Sequence, residues 1–274
     1  MDIKWNDLEE DGMTLRRSGD CLYLTFPTLD EQPWLLNAYS TRFGGVSQGI
    51  YAAMDLSFGR GDDPENVHQN FNLFAKAVGF DPENLVCSAQ THTTNVRLVG
   101  REDRGRGYTR ERGWTDVDGL ITDARNVVLA TFYADCVPLY FADPVHRAIG
   151  LSHSGWRGTA AKMGAVTVKA MQDAFGTKPE DLLCAIGPCI CQDCYEVSAE
   201  VAHKFPNCYS KRKDDGKYLL DLPAINQGIL VDTGVPMSNI SMANLCTCCN
   251  PDLLFSHRAT HGKRGNNAAF LMIR

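Results

Sequence analysis

Three apolar, strand-like segments of this chain each end on a side chain able to bind a metal: SAQTHTTN at His92, ATFYADCVPL at Cys136 and IGLSHSGWRG at His153. One thiolate and two imidazoles make a three-ligand set that suits Zn2+ and leaves a fourth position open, as catalytic zinc sites do. The ligands stand 44 and 17 residues apart, so only the fold can bring them together. Taken singly, a histidine at a strand end is an ordinary hydrogen-bonded residue and a buried cysteine is ordinary packing. Spacing alone leaves that plainer reading open. Asp135, beside Cys136, is a candidate acceptor behind a metal-bound imidazole or a proton carrier; its plainer reading is a loop-forming aspartate. Read without a metal, Cys136 becomes a nucleophile with His92 or His153 as its base, the arrangement of a cysteine hydrolase acting on cell-wall peptides. Copper oxidation of phenols would draw on rich imidazole sets, whereas His68, His146, His203, His257 and His261 are scattered without a His-x-His pair.

Two further segments favour an anion. In STRFGGVSQGIY, Arg42 precedes Gly44 and Gly45. Glycines let a backbone approach a ligand, and free N–H groups beside a guanidinium make an anion site. In HSGWRGTAAK a strand runs into a helix, placing Arg157 near a helix N-terminus where phosphate is favoured. Ser154 is not a hydrolase elbow, since its surroundings are S-G-W-R-G rather than G-x-S-x-G. Residues 100–114, GREDRGRGYTRERGW, hold five arginines, three acids and four glycines. They form either a solvated surface loop or a flap whose arginines meet an anionic ligand. Cys189, Cys191 and Cys194, with Cys246, Cys248 and Cys249, either build a second, structural zinc site or remain packed, redox-sensitive thiols.

The elements that must position these residues read as one α/β domain. Strands are expected over 21–26, 85–90, 95–99, 127–132, 137–141, 148–153 and 182–186, and helices over 64–78, 159–175 and 222–231. Strands outnumber helices and several are joined by short turns, so mixed β-sheets flanked by helices fit better than a regular doubly wound sheet. At 274 residues a large core is available without staples. The net charge of −6 argues against duplex nucleic acid or an anionic membrane as main partner, because both reward clustered positive charge. The longest apolar stretch, 126–134, is far too short to span a bilayer. The polar N-terminus MDIKWNDLEEDG resembles no signal peptide. Eleven cysteines without an export signal favour a reducing compartment, and a cytoplasmic location is expected.

The motifs AQTH, ADCVPLYFADP, SHSGWRGTAAKM, AIGPCICQDCYEV and LLDLPAINQGIL, with the tail CTCCNPDLLFSHRATHGKRGNNAAFLMI, occur in this order after STRFGGVSQGIYAAMDLSFGRGDDPENVHQNF. Together they resemble the laccase-domain family, also called multicopper polyphenol oxidoreductases or purine nucleoside phosphorylases. The resemblance runs from about residue 20 to 273, which makes 1–19 an N-terminal extension and 20–274 the domain. It implies a zinc held by His92, Cys136 and His153. It further implies phosphorolysis of adenosine, inosine and 5′-methylthioadenosine, with adenosine deamination as a companion activity. Nucleoside and inorganic phosphate are then the small-molecule partners, with Arg42, Gly44–Gly45 and Arg157 as phosphate candidates. The chain departs from the family pattern at Met54–Asp55, where an Asn commonly precedes the Leu-Ser pair, and at Ala259, which replaces an arginine.

Overall fold

A computed structural model describes residues 3–6 and 12–274; residues 1, 2 and 7–11 of the expected extension lie outside the described residues. Two six-stranded mixed sheets pack face to face. The first has the order β1 (Thr14–Ser18), β2 (Cys21–Thr25), β3 (Leu35–Ser40), β15 (Asn267–Ile273), β7 (Val128–Tyr133), β4 (Leu85–Cys87). The second runs β14 (Ile240–Met242), β10 (Leu183–Ile186), β8 (Val137–Asp143), β9 (Ala148–Ser154), β6 (Gly119–Thr122), β5 (Val96–Leu98). In each, the neighbours are antiparallel except the β4–β7, β5–β6 and β10–β14 pairs, which are parallel. A small antiparallel sheet is formed by β11 (Glu196–Val197), β13 (Tyr218–Leu220) and β12 (Ser210–Arg212). Pairing of β1 with β2 carries the first sheet back to residue 14, inside the segment expected to be an extension.

The alternation of each strand sorts its side chains between two cores. In β15, Ala269, Leu271 and Ile273 face the second sheet, while Ala268, Phe270 and Met272 pack under α2 (Pro64–Val78). In β8, Tyr140 and Ala142 face the first sheet, while Val137, Leu139 and Phe141 pack under α4 (Met163–Phe175) and α6 (Leu222–Asp232). The layers are therefore helix, sheet, sheet, helix. The central strands β3, β8, β9 and β15 are covered on both faces, so they are buried throughout rather than alternating, whereas the edge strands β1 and β5 are largely exposed. Three short helices, α1 (Pro27–Asp30), α3 (Trp156–Ala160) and α5 (Ala199–Ala202), lie in connections. No helix among the described residues is long and apolar enough to cross a membrane.

Helix α2 has the bounds expected from its sequence. The Asp63 side chain accepts the Glu65 N–H, Pro64 opens the first turn, and Gly79 closes the helix at φ 93°. An N-cap of this kind contributes about 1 kcal/mol. The single helix expected over 159–175 is instead α3 and α4, separated by Lys162 in the left-handed region at φ 59°. The break lets α3 leave the end of β9 while α4 lies against α6, where Gly164 approaches Leu230.

Candidate metal centre and its cavity

His92, Cys136 and His153 converge. One ligand atom from each lies within 4.8 Å of the others. Cys136 Sγ is 3.9 Å from His92 Nε2, and the two imidazoles meet edge to face at 4.9 Å between centroids. Cys136 sits in the turn that carries the chain from β7 in the first sheet to β8 in the second, and His153 is in β9, paired with β8. His92 follows β4 in a loop and takes φ 66°.

What holds that loop is Asp118, a residue the sequence did not single out. Its carboxylate, fully buried, accepts the backbone N–H groups of Thr91 (2.9 Å), His92 (3.0 Å) and Thr93 (3.0 Å) and the Thr93 hydroxyl. It also accepts from His153 Nδ1 at 2.8 Å. An ionised carboxylate only accepts, so that bond fixes the proton on Nδ1 and leaves Nε2 as a ligand atom. Burial pushes the Asp118 carboxyl up, but the His153 ring and the loop amides outweigh it and hold it below the usual range. The sequence reads Asp135 either as an acceptor for an imidazole or a proton carrier or as a loop-forming aspartate, and the structure corrects the first of these readings. Asp135 is buried at φ 93°, with Oδ1 accepting the Thr247 hydroxyl and Oδ2 accepting the Arg258 N–H, both at 2.7 Å. It shapes the turn before Cys136 and is not bonded to either ring.

The centre favours a thiolate. Burial raises the Cys136 thiol, but the His153 and His92 imidazoles more than offset it and bring the pKa down to about 6. Burial lowers His153, while Cys136 and Asp118 together raise it to about 9. Gly155 makes room for the cluster, since a Cβ there would lie 2.8 Å from His92 Cδ2 and 3.1 Å from Cys136 Sγ. A soft thiolate, two imidazoles with one tautomer fixed and a backbone cradle without a side chain fit a zinc-type ion.

The three ligands form one wall of a cavity of about 500 Å³, within the range of small-molecule sites. Arg60, Arg112 and Arg264 also line it, with Ser57, Asn266 and the rings of Phe58 and Phe132, and among the described residues no carboxylate faces it. Burial and the nearby Arg60 charge pull Arg264 down to about 10, and the buried Nε atoms of Arg264 and Arg112 have no partner. A desolvated Arg264 beside the exposed Arg60 and the half-buried Arg112, all facing one space, suits an anion.

The anion candidates read from the sequence lie elsewhere. Arg42 donates from Nε to the Ala52 carbonyl (2.9 Å) and from Nη1 to the Pro251 carbonyl (2.7 Å), and lies over Phe255. Gly44 and Gly45 line a separate cavity beside Cys21. Arg157 is exposed and stacks on Trp156 at 4.2 Å. In segment 100–114, Arg104, Arg106 and Arg110 donate to carbonyls or pair with Asp103, and Arg112 reaches the cavity. That loop is fastened by Gly105 N–H to Leu85 and by Cys87 N–H to Arg106. Of the departures from the family pattern, Asp55 lies behind the cavity wall, accepting the Asn266 N–H at 2.8 Å with its other oxygen buried and unpartnered. Burial, with Asp62 adding, lifts its pKa to about 7 against the Asn266 bond. Ala259 does not line the cavity.

Residues 37–274 match the family described as multi-copper polyphenol oxidoreductase laccase. A Bacillus subtilis protein named purine nucleoside phosphorylase YlmD is 34% identical over 244 residues, covering 86% of this chain and 88% of its own. A protein from an unknown prokaryotic organism named adenosine deaminase RL5 is 32% identical, covering 81% of this chain and 88% of its own. The crystal structure of the Bacillus licheniformis hypothetical protein YfiH superimposes with a TM-score of 0.89 at 31% identity, over 95% of this chain and 99% of that one.

Proposed function

The chain belongs to the multi-copper polyphenol oxidoreductase laccase family, and from that premise we propose that it is a zinc-dependent purine nucleoside phosphorylase with adenosine deaminase activity. The observation that carries the reading is one cavity holding both a three-ligand set and three guanidiniums, with no carboxylate among the described residues facing it. Its substrates are adenosine, inosine and 5′-methylthioadenosine, together with inorganic phosphate. The names of the relatives from Bacillus subtilis and the unknown prokaryote support the two activities.

Zinc held by His92, Cys136 and His153 supplies Lewis acidity and a low pKa for bound water. The rest belongs to the chain's own side chains. Arg60, Arg112 and Arg264 hold phosphate, which planar guanidiniums match bidentately. Phe58 and Phe132 offer ring faces to the purine. In phosphorolysis a phosphate oxygen bonds to C1′ as the C1′–N9 bond breaks, and the purine leaves with the electron pair and takes a proton. Asp118 keeps the proton on His153 Nδ1 and keeps Nε2 turned to the site.

Copper oxidation of phenols is less well supported. His146 is held by Asp143 at 2.8 Å, His203 lies against Tyr218, and His68 packs on Phe58 and Tyr108, so these rings do not join the cluster. One observation favours a cysteine hydrolase: Cys136, His153 and Asp118 stand in the order of a nucleophile, base and orienting acid. Alkylation separates the two, because a metal thiolate is protected until a chelator is added. To test the main reading, adenosine is incubated with and without phosphate and the products are separated by chromatography. Adenine and ribose 1-phosphate are expected with phosphate, and inosine without it. Unchanged adenosine in both would reject the proposal.

A further inference from the structure

Two Cys-x-x-Cys turns meet outside the centre described above. The Sγ atoms of Cys191, Cys194, Cys246 and Cys249 all lie within 4.8 Å of one another, and those of Cys194 and Cys249 are 3.4 Å apart. Four thiolates at the zinc–sulfur distance of ~2.3 Å stand about 3.8 Å apart in a tetrahedron, an edge that lies inside the spread of the four atoms. Backbone amides support the cluster: Cys191 N–H and Cys249 N–H point at Cys246 Sγ at 3.3 and 3.4 Å. The two turns are joined by main-chain bonds from Cys189 N–H to Leu245 and from Thr247 N–H to Cys189. Cys189 itself faces the helix-side core, and Cys248 stands outside the four.

We infer that Cys191, Cys194, Cys246 and Cys249 form a second metal site that takes one zinc ion with every position filled by protein. Four soft thiolates select zinc or iron over harder ions, and a closed tetrahedron is structural rather than catalytic. Its binding displaces the thiol protons and ties a segment near residue 190 to one near residue 247. Those segments hold Asp135. Ile190 N–H donates to the Asp135 carbonyl at 3.0 Å, and Thr247 donates to its carboxylate. Arg258, whose N–H donates to the same carboxylate, uses its guanidinium on the carbonyls of Cys194 (3.0 Å) and Glu196 (2.9 Å). Asp135 keeps a φ of 93°, unfavourable for a non-glycine residue, immediately before Cys136. The four-thiolate site is thus a clip that fixes the turn presenting Cys136.

The test uses the full chain with the first centre disabled, as Cys136→Ala and separately as His92→Ala, purified under reducing conditions, supplied with Zn2+ and checked by circular dichroism for the wild-type fold. Either folded variant is expected to retain one zinc per chain. Its X-ray absorption should fit four sulfurs at ~2.3 Å, and four thiols should react only after a chelator is added. The wild type is expected to carry two zinc ions. A folded variant without zinc whose four thiols react freely overturns the inference. So does one in which these cysteines are recovered as disulfides, or one with stoichiometric iron in place of zinc. None of these readings depends on turnover of a nucleoside.

Discussion

A single carboxylate organises the centre. Asp118 binds three loop amides, one hydroxyl and the His153 ring, so it sets both the position of His92 and the tautomer of His153. Asp118→Asn replaces one acceptor oxygen with a donor, and zinc affinity is expected to fall ~10–100-fold. Competition with a chelator measures it, and an unchanged affinity would remove Asp118 from this role. Gly155 acts through space alone. Its φ of −76° suits any residue, but an added methyl would collide with His92. Gly155→Ala should therefore lose one of the two zinc ions while keeping a wild-type circular dichroism spectrum; full zinc content would contradict the packing argument. His92, Cys136 and His153, which the fold brings together, were legible as a set only through the family resemblance, because side-chain type and spacing alone left the plainer reading open. Asp118 was not, because an aspartate before a strand is common and its partners are assigned only by the fold.

The loops that wall the cavity show a similar division. Arg42 sits in a glycine-rich turn that looks ready for phosphate, yet its guanidinium is committed to two carbonyls, whereas Arg60 and Arg264 carried no such motif. Arg42→Ala is expected to cost about 1.5–3 kcal/mol of stability, the worth of hydrogen bonds from a charged group, and to leave the phosphate KM unchanged. Arg264→Ala should raise that KM at least ~10-fold, the equivalent of ~1.4 kcal/mol. Steady-state kinetics and thermal melts on the two variants check both, and the opposite pattern would return phosphate to the Arg42 turn. The segment behind this wall also stores a pH response. Asp55 has a folded pKa of about 7, against roughly 4 in an unfolded chain. Between these values the folded protein holds a proton that the unfolded chain has released, so stability falls as pH rises from about 4 to 7 and then levels. The full effect is up to about 4 kcal/mol. Asp55→Asn keeps the acceptor for the Asn266 N–H and should flatten this part of the profile in denaturant melts at several pH values. An unaltered slope would place the titration elsewhere. Helix α2 was legible from its caps, but β3 and β15 were not among the expected strands. Both are buried on two faces, and LLNAYS and NAAFLMI show no alternation to read.

The centre lies where the two sheets join. Cys136 is in the turn that passes from one to the other, His153 comes from the second, and His92 follows a strand of the first. The fold class was legible from the balance of strands and helices, while the pairing of two six-stranded sheets depends on long-range contacts that no local pattern carries. This layout places metal ligands and guanidiniums around one cavity, and the proposed function has phosphorolysis and deamination share it. The most direct test is product analysis with adenosine for zinc-loaded wild type beside His153→Ala, each with and without phosphate, with zinc content measured on the same samples. Loss of one of the two zinc ions, of adenine formation and of inosine formation together in His153→Ala is the predicted result. A His153→Ala protein that has lost the zinc of this centre yet keeps full deamination while losing phosphorolysis would contradict the shared site.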